Sequence, residues 1–158
     1  MKKSIDKFYI ATENSLANDN IKQFISLGVK PQTAIDLGCG AGRDSIFLIK
    51  NGWTVISIDN ENVEHFIAPK LLEQEKLKFK FIQARFEEIE IEKNNLVVAN
   101  NSLPFCPKLK FNELWAKIVD SIKDERILCW NFLWRKRFLG KNKKKYDIFK
   151  QNKHITII

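Results

Sequence analysis

Apolar residues in this chain fall in short, nearly unbroken runs, separated by longer stretches where they recur every three or four positions. The runs Thr33–Leu37, Trp53–Ile58, Asn95–Ala99 and Arg126–Phe132 predict buried strands, because a strand covered on both faces is apolar at successive positions. Leu77–Gln83 alternates instead, Leu77, Phe79 and Phe81 against Lys78 and Lys80, which predicts a half-buried strand. Leu16, Ile21, Phe24, Ile25 and Leu27 predict a helical segment within residues 4–30, with Gly28 as its stop. A helix from Gly42 to Asn51 carries Ile46, Phe47 and Ile49, and another over 61–74 is interrupted by Pro69. Phe111, Leu114, Trp115, Ile118, Val119 and Ile122 recur at helical spacing over 109–122, and their aromatic rings read as core. Five strands alternating with helices predict an α/β, doubly wound sheet.

One junction in this pattern carries chemistry. The first strand ends in Asp36-Leu37-Gly38-Cys39-Gly40-Ala41-Gly42-Arg43 and runs directly into a helix. Glycines at every second position let the backbone turn tightly and approach a ligand with no Cβ between them. The following helix starts with unpaired N–H groups aimed over the loop. The spacing differs from the G-x-G-x-x-G of dinucleotide sites, and no G-x-x-x-x-G-K-[ST] is present. An acid two residues before the first glycine would repel a pyrophosphate, whereas it suits a ligand carrying an ammonium and a sulfonium. About 20 residues on, the second strand ends at Asp59-Asn60. A carboxylate there accepts both hydroxyls of a ribose, or else caps the next helix.

This loop closely resembles motif I of the class I S-adenosylmethionine-dependent methyltransferases, [DE]-x-G-x-G-x-G, and its wording is most similar to the small-molecule and tellurite-resistance-type members. The resemblance covers residues 8–132. It implies a Rossmann-like methyltransferase sheet, S-adenosyl-L-methionine as cofactor and methyl transfer to a small-molecule acceptor. Residue by residue, it implies that Asp36 orders the loop and that Gly38, Gly40 and Gly42 line the cofactor. Arg43 faces the methionine carboxylate or lies exposed on its helix. Asp59 takes the ribose, Asn60 beside it counts among the cofactor-binding positions, Ala84 and Phe86 neighbour adenine, and Asn100 presents a carbonyl to the methionine ammonium. Tyr9 or Phe8 closes over the site from the amino-terminal segment. Family members often place an acid where Arg85 stands here, and arginine cannot accept the adenine amine's hydrogen bond. The loop Asn100–Cys106 resembles the acceptor side of the small-molecule branch, or packs simply as core. No catalytic residue is assigned, since a soft nucleophile needs no general base; His65 and His154 read as surface or packing residues.

Composition narrows the partners. The chain has 158 residues, 44% of them apolar, and a net charge of +8. Residues 1–132 hold 18 Lys/Arg and 18 Asp/Glu, while residues 133–158 hold nine Lys/Arg against Asp147 alone. The body is therefore neutral and the whole excess lies in the last 26 residues. We divide the chain into a methyltransferase domain, residues 1–132, with an amino-terminal helical segment (4–30) and a cofactor-binding core (31–132), and a basic, atypical segment, 133–158. In that segment only His154–Ile158 could be a strand, too little for the family's closing antiparallel hairpin, so the sheet is expected to be truncated or altered after the fifth strand. Two alternatives to the small-molecule enzyme follow. One is an inactive or cofactor-binding-only remnant; the other is an RNA methyltransferase anchored by the basic segment, which the neutral body disfavours. Cys39, Cys106 and Cys129 lack metal-ligand or disulfide spacing, so no metal is expected and reduced thiols in a cytoplasmic protein are. The basic start lacks the apolar stretch of a signal peptide, and no run reaches the length of a membrane span. Nothing in the sequence sets the oligomeric state.

Overall fold

A computed structural model describes residues 2–121, 126–130 and 155–157. Helices α1 (Lys2–Thr12) and α2 (Asp19–Ser26) precede strand β1 (Thr33–Leu37), helix α3 (Arg43–Lys50) and strand β2 (Thr54–Asp59). Short helices α4 (Glu64–Ile67) and α5 (Glu73–Lys76) flank a 3₁₀ turn, Ala68–Lys70, and lead into β3 (Phe79–Gln83). Strand β4 (Leu96–Ala99), a 3₁₀ turn at Leu103–Phe105, helix α6 (Phe111–Ser121), β5 (Arg126–Trp130) and β6 (Ile155–Ile157) complete the order.

The six strands lie in the order β3-β2-β1-β4-β5-β6, and every neighbouring pair is parallel. The chain reverses its direction of winding between β1 and β4, where their carboxyl ends leave a crevice. Side chains of β1 alternate between the two faces. Ile35 and Leu37 join a core with Ile58, Val97, Leu114 and Ile118 beneath α6. Ala34 joins the opposite core with Ile21, Phe24, Leu48, Trp53 and Val55, beneath α2 and α3. Both faces are covered, which is why β1 and β4 are apolar almost throughout.

The helix over 61–74 is interrupted at its proline as expected, into α4, a 3₁₀ turn and α5. Other sequence expectations change in detail. The helical segment over 4–30 is two helices, broken between Thr12 and Asp19, where Asn18 leaves the helical path to bond elsewhere. Leu77 is 87% exposed and precedes β3, in which the half-buried Phe79 and Phe81 pack against the core. Past the fifth strand the sheet carries part of the one stretch of the last segment that could form a strand. Ile155–Ile157 pairs in parallel with Arg126–Leu128 and extends the sheet past the fifth strand. The basic positions 133–153 and His154 lie outside the described residues. Among the described residues no helix is long and apolar enough to cross a membrane.

Candidate functional site

The turn after β1 is pinned to the end of β2. The amides of Gly38 and Cys39 both donate to the Ile58 carbonyl, at 2.8 and 2.9 Å, and Gly42 N–H closes the turn on the Cys39 carbonyl at 3.0 Å. Gly38, Gly40 and Gly42 all take left-handed φ, 72°, 56° and 78°. Their surroundings differ. A Cβ on Gly38 would lie 2.4 Å from Ser102 Cβ, and one on Gly42 would lie 2.3 Å from Ile67 Cγ1. These two glycines are required by the protein's own packing. A Cβ on Gly40 would meet nothing nearer than the Tyr9 ring, at 3.8 Å. Gly40 is thus the open point of the loop, roofed by Tyr9.

Three buried carboxylates surround this turn. Asp36 points from β1 toward α3, where Ser45 Oγ donates to its Oδ2 at 2.7 Å; Ser57 Oγ in turn donates to Ser45 Oγ at 2.7 Å. Burial foremost, and then the nearby Asp44 charge, push the Asp36 carboxyl up to about 7. Asp59, at the end of β2, accepts from the Gly40 amide on Oδ2 (2.9 Å), and from Tyr9 Oη and the Glu61 amide on Oδ1 (both 3.1 Å). Burial and the Asp59 charge hold the Tyr9 phenol well above its ordinary range. Asp44, in the first turn of α3, accepts from the Asn18 amide and Asn18 Nδ2, both at 2.7 Å, and from Asn100 Nδ2 at 2.8 Å. Asn100 and Asn20 exchange a reciprocal pair of amide bonds, 2.9 and 3.1 Å. This network ties the α1–α2 connection and the start of α2 to the first turn of α3 and the end of β4.

The remaining predicted positions separate into near and far. Arg43 is half-buried and gives Nη2 to Asn18 Oδ1 at 3.1 Å. Asn60 is exposed, and its carbonyl accepts from Gln83 Nε2. The Ala84 amide donates to the Asp59 carbonyl at 2.9 Å, which places residue 84 beside Asp59. Phe86 is buried, its ring 3.5 Å from the Cβ position of Gly38. Arg85 turns outward and pairs with Glu87, Nη2 to Oε1 at 2.5 Å. His65 is exposed and lies against the Phe66 ring. Cys39 and Cys106 are buried thiols, and burial pushes Cys106 up to about 11.

Sequence reasoning missed Asp44, Asn18, Asn20 and the hydroxyls of Ser45 and Ser57. It marked the corner after β4 as part of the loop Asn100–Cys106 but gave Asn101 and Ser102 no role. There Asn101 takes φ 61°, and Asn101 Oδ1 and Ser102 Oγ are buried without a hydrogen-bond partner. Strained backbone and orphaned polar atoms concentrate where a protein handles ligands. The usable signal was Asp44-Ser45, directly after the glycine loop. Asn18 and Asn20 offered none, since their partners lie 26 and 80 residues away.

Comparison with known proteins agrees with this architecture. A family model described as "Methyltransferase domain" matches residues 34–125, from β1 to the start of β5. A carboxy-S-adenosyl-L-methionine synthase of Nautilia profundicola is 31% identical over 132 residues, which is 82% of this chain and 53% of that protein. The chain therefore spans about half the length of that relative. Among solved structures, TehB of Haemophilus influenzae superposes with a TM-score of 0.65 at 21% identity, over 77% of this chain and 42% of that one. The 1,6-didemethyltoxoflavin-N1-methyltransferase of Burkholderia thailandensis gives 0.62 at 17% identity, over 77% and 53%. These structures share the fold. Strand order, glycine turn and family match agree: the chain belongs to the methyltransferase-domain family, the S-adenosylmethionine-dependent class that its loop resembles.

Proposed function

We propose that this chain binds S-adenosylmethionine and promotes transfer of the methyl group to a small-molecule acceptor. The observation that carries the reading is the position of Asp59, a buried carboxylate bonded to the amide of Gly40 at the open point of the loop. It offers acceptor oxygens to a ribose beside a turn where a ligand meets no Cβ. Asp36 and Asp44 add buried negative charge around the same turn, which favours a cationic ligand and opposes a pyrophosphate. The orphaned oxygens of Asn101 and Ser102 offer further acceptors to a donor-bearing group.

On this reading the residues divide the work. Asp59 receives the ribose hydroxyls, with Asn60 beside it. Ala84 and Phe86 lie toward adenine. Gly38, Gly40 and Gly42 shape the turn. Asn100, held by Asp44 and Asn20, presents its backbone toward the amino-acid end, and Asp36 supplies charge from below. Arg43 is held by Asn18 and lies at the carboxylate end. The bound cofactor supplies a methyl group on a positively charged sulfur, so the protein's share of catalysis is positioning and exclusion of water. No protein base is required for a soft nucleophile. The neutral charge of residues 1–132 supports a small acceptor over RNA, and the stretch on which RNA binding would depend lies mostly outside the described residues. We take residues 1–132, with the returning strand β6, as the methyltransferase unit.

Thermal unfolding in the presence of S-adenosylmethionine and S-adenosylhomocysteine tests this directly. A ligand at a hundredfold its Kd stabilises by about 2.7 kcal/mol, which raises Tm by roughly 5–10 °C for a domain of this size. Asp59→Ala is expected to abolish the rise. A folded sample that shows no rise with either compound overturns the proposal. A rise without turnover on any acceptor would favour the binding-only remnant.

A further inference from the structure

The Asp59 carboxylate offers about four lone-pair sites, and three are already in use. Oδ1 accepts from Tyr9 Oη and the Glu61 amide, and Oδ2 from the Gly40 amide. One site is left, whereas a ribose diol needs two. The Gly40 and Glu61 donors are backbone groups of the core turns and cannot leave without unfolding them. Tyr9 is different, because it stands on α1. Among the described side chains of that helix, Phe8 is 62% and Ile10 59% exposed, while the Tyr9 ring meets the body, over Gly40 and tilted against Phe66 at 6.1 Å between centroids. Just beyond its carboxyl end, Lys70 Nζ donates to the Glu13 carbonyl, and Asn18 is fixed to Asp44. The segment 13–18 is therefore anchored at both ends, and α1 extends from it as an arm.

We propose that Tyr9 is a displaceable latch: its hydroxyl holds α1 to Asp59 by taking the place of a ribose hydroxyl, and must be displaced for the diol to bind. This rests on the reading of Asp59 as the ribose acceptor. Latch and ligand compete for one oxygen, so the apparent affinity for any ribose-bearing ligand is reduced by the fraction of molecules in which Tyr9 is engaged. The contact discriminates by chemistry as well as by shape. A nucleoside with no ribose hydroxyls has no need of the contested oxygen, and gains nothing from its release.

Tyr9→Phe keeps the ring over Gly40 and removes only the hydroxyl. Two measurements on the full chain decide the matter. Hydrogen exchange of the α1 amides is expected to accelerate in the variant without any ligand; unchanged exchange overturns the latch. Calorimetric titration is expected to give about 3- to 10-fold tighter binding of S-adenosylhomocysteine and adenosine, with 2′,3′-dideoxyadenosine unchanged. Weaker binding of S-adenosylhomocysteine by the variant overturns the displacement and makes Tyr9 part of the bound complex instead. An equal gain for dideoxyadenosine also overturns it, because the competition would not be for the diol. If neither protein binds S-adenosylhomocysteine, the cofactor reading itself fails, a result distinct from those above.

Discussion

Gly38→Ala is expected to lower stability by about 2–5 kcal/mol and to abolish binding of S-adenosylhomocysteine. Two costs add. A left-handed φ of 72° places an alanine Cβ against its own backbone, at about 1–2 kcal/mol. The new Cβ also falls 2.4 Å from Ser102 Cβ, and overpacking of this kind costs about 1–3 kcal/mol. Ser102 cannot swing aside, because the clash is at its Cβ and relief requires the chain after β4 to move. That movement would pull on Asn100 and Asn101 at the mouth of the crevice. Gly28→Ala is the control, since Gly28 has nearly the same φ, 71°, with nothing within 4 Å of its Cβ position. Urea unfolding midpoints of the two variants separate backbone strain from close approach. Equal losses in both would show that the contact with Ser102 carries no weight.

That contrast also marks how far the sequence can be read. The glycine spacing announces a turn, and the acid before it and the one at the end of the next strand announce the ligand's chemistry. What spacing cannot tell is that Gly38 and Gly42 are needed by the protein's own packing while Gly40, alone of the three, has nothing nearer than the Tyr9 ring. The strands were legible because both sheet faces are covered, so β1 and β4 carry their burial as continuous apolar runs. The amino-terminal segment was not, because its break is set by Asn18 bonding Asp44, a contact with no local signature. The same holds for Asn100, whose partners Asn20 and Asp44 lie 80 and 56 residues away. Arg85 shows the converse. Its departure from the family pattern is visible in the sequence, but its outward pairing with the buried Glu87, two residues later, is a matter of geometry.

Asp36 links the site to stability, and the sign is unusual for a carboxylate. In the unfolded chain its carboxyl ionises at about 3.9; in the fold it is pushed up to about 7, chiefly by burial. Between these values the folded protein keeps a proton that the unfolded chain has lost, so stability falls as pH rises and stops falling once pH passes about 7. From pH 5 to pH 8 the loss amounts to about 2–3 kcal/mol, at 1.36 kcal/mol per unit. Asp36→Asn preserves the shape and the acceptor for Ser45 Oγ but has nothing to titrate. Whatever constant cost the amide brings, the variant's stability relative to wild type is expected to climb by about 2–3 kcal/mol over that range. Urea unfolding of both proteins at pH 5, 6, 7 and 8 measures it, and the titrating groups that do not interact with Asp36 cancel in the difference. The functional counterpart follows from the same charge. Once ionised, Asp36 favours a sulfonium over a neutral thioether, so the preference for S-adenosylmethionine over S-adenosylhomocysteine is expected to widen from pH 6 to pH 8 in wild type and to stay level in Asp36→Asn. A stability difference that is flat in pH would mean that Asp36 is already charged in the fold at pH 5, and that burial has been offset there by the Ser45 and Ser57 hydroxyls.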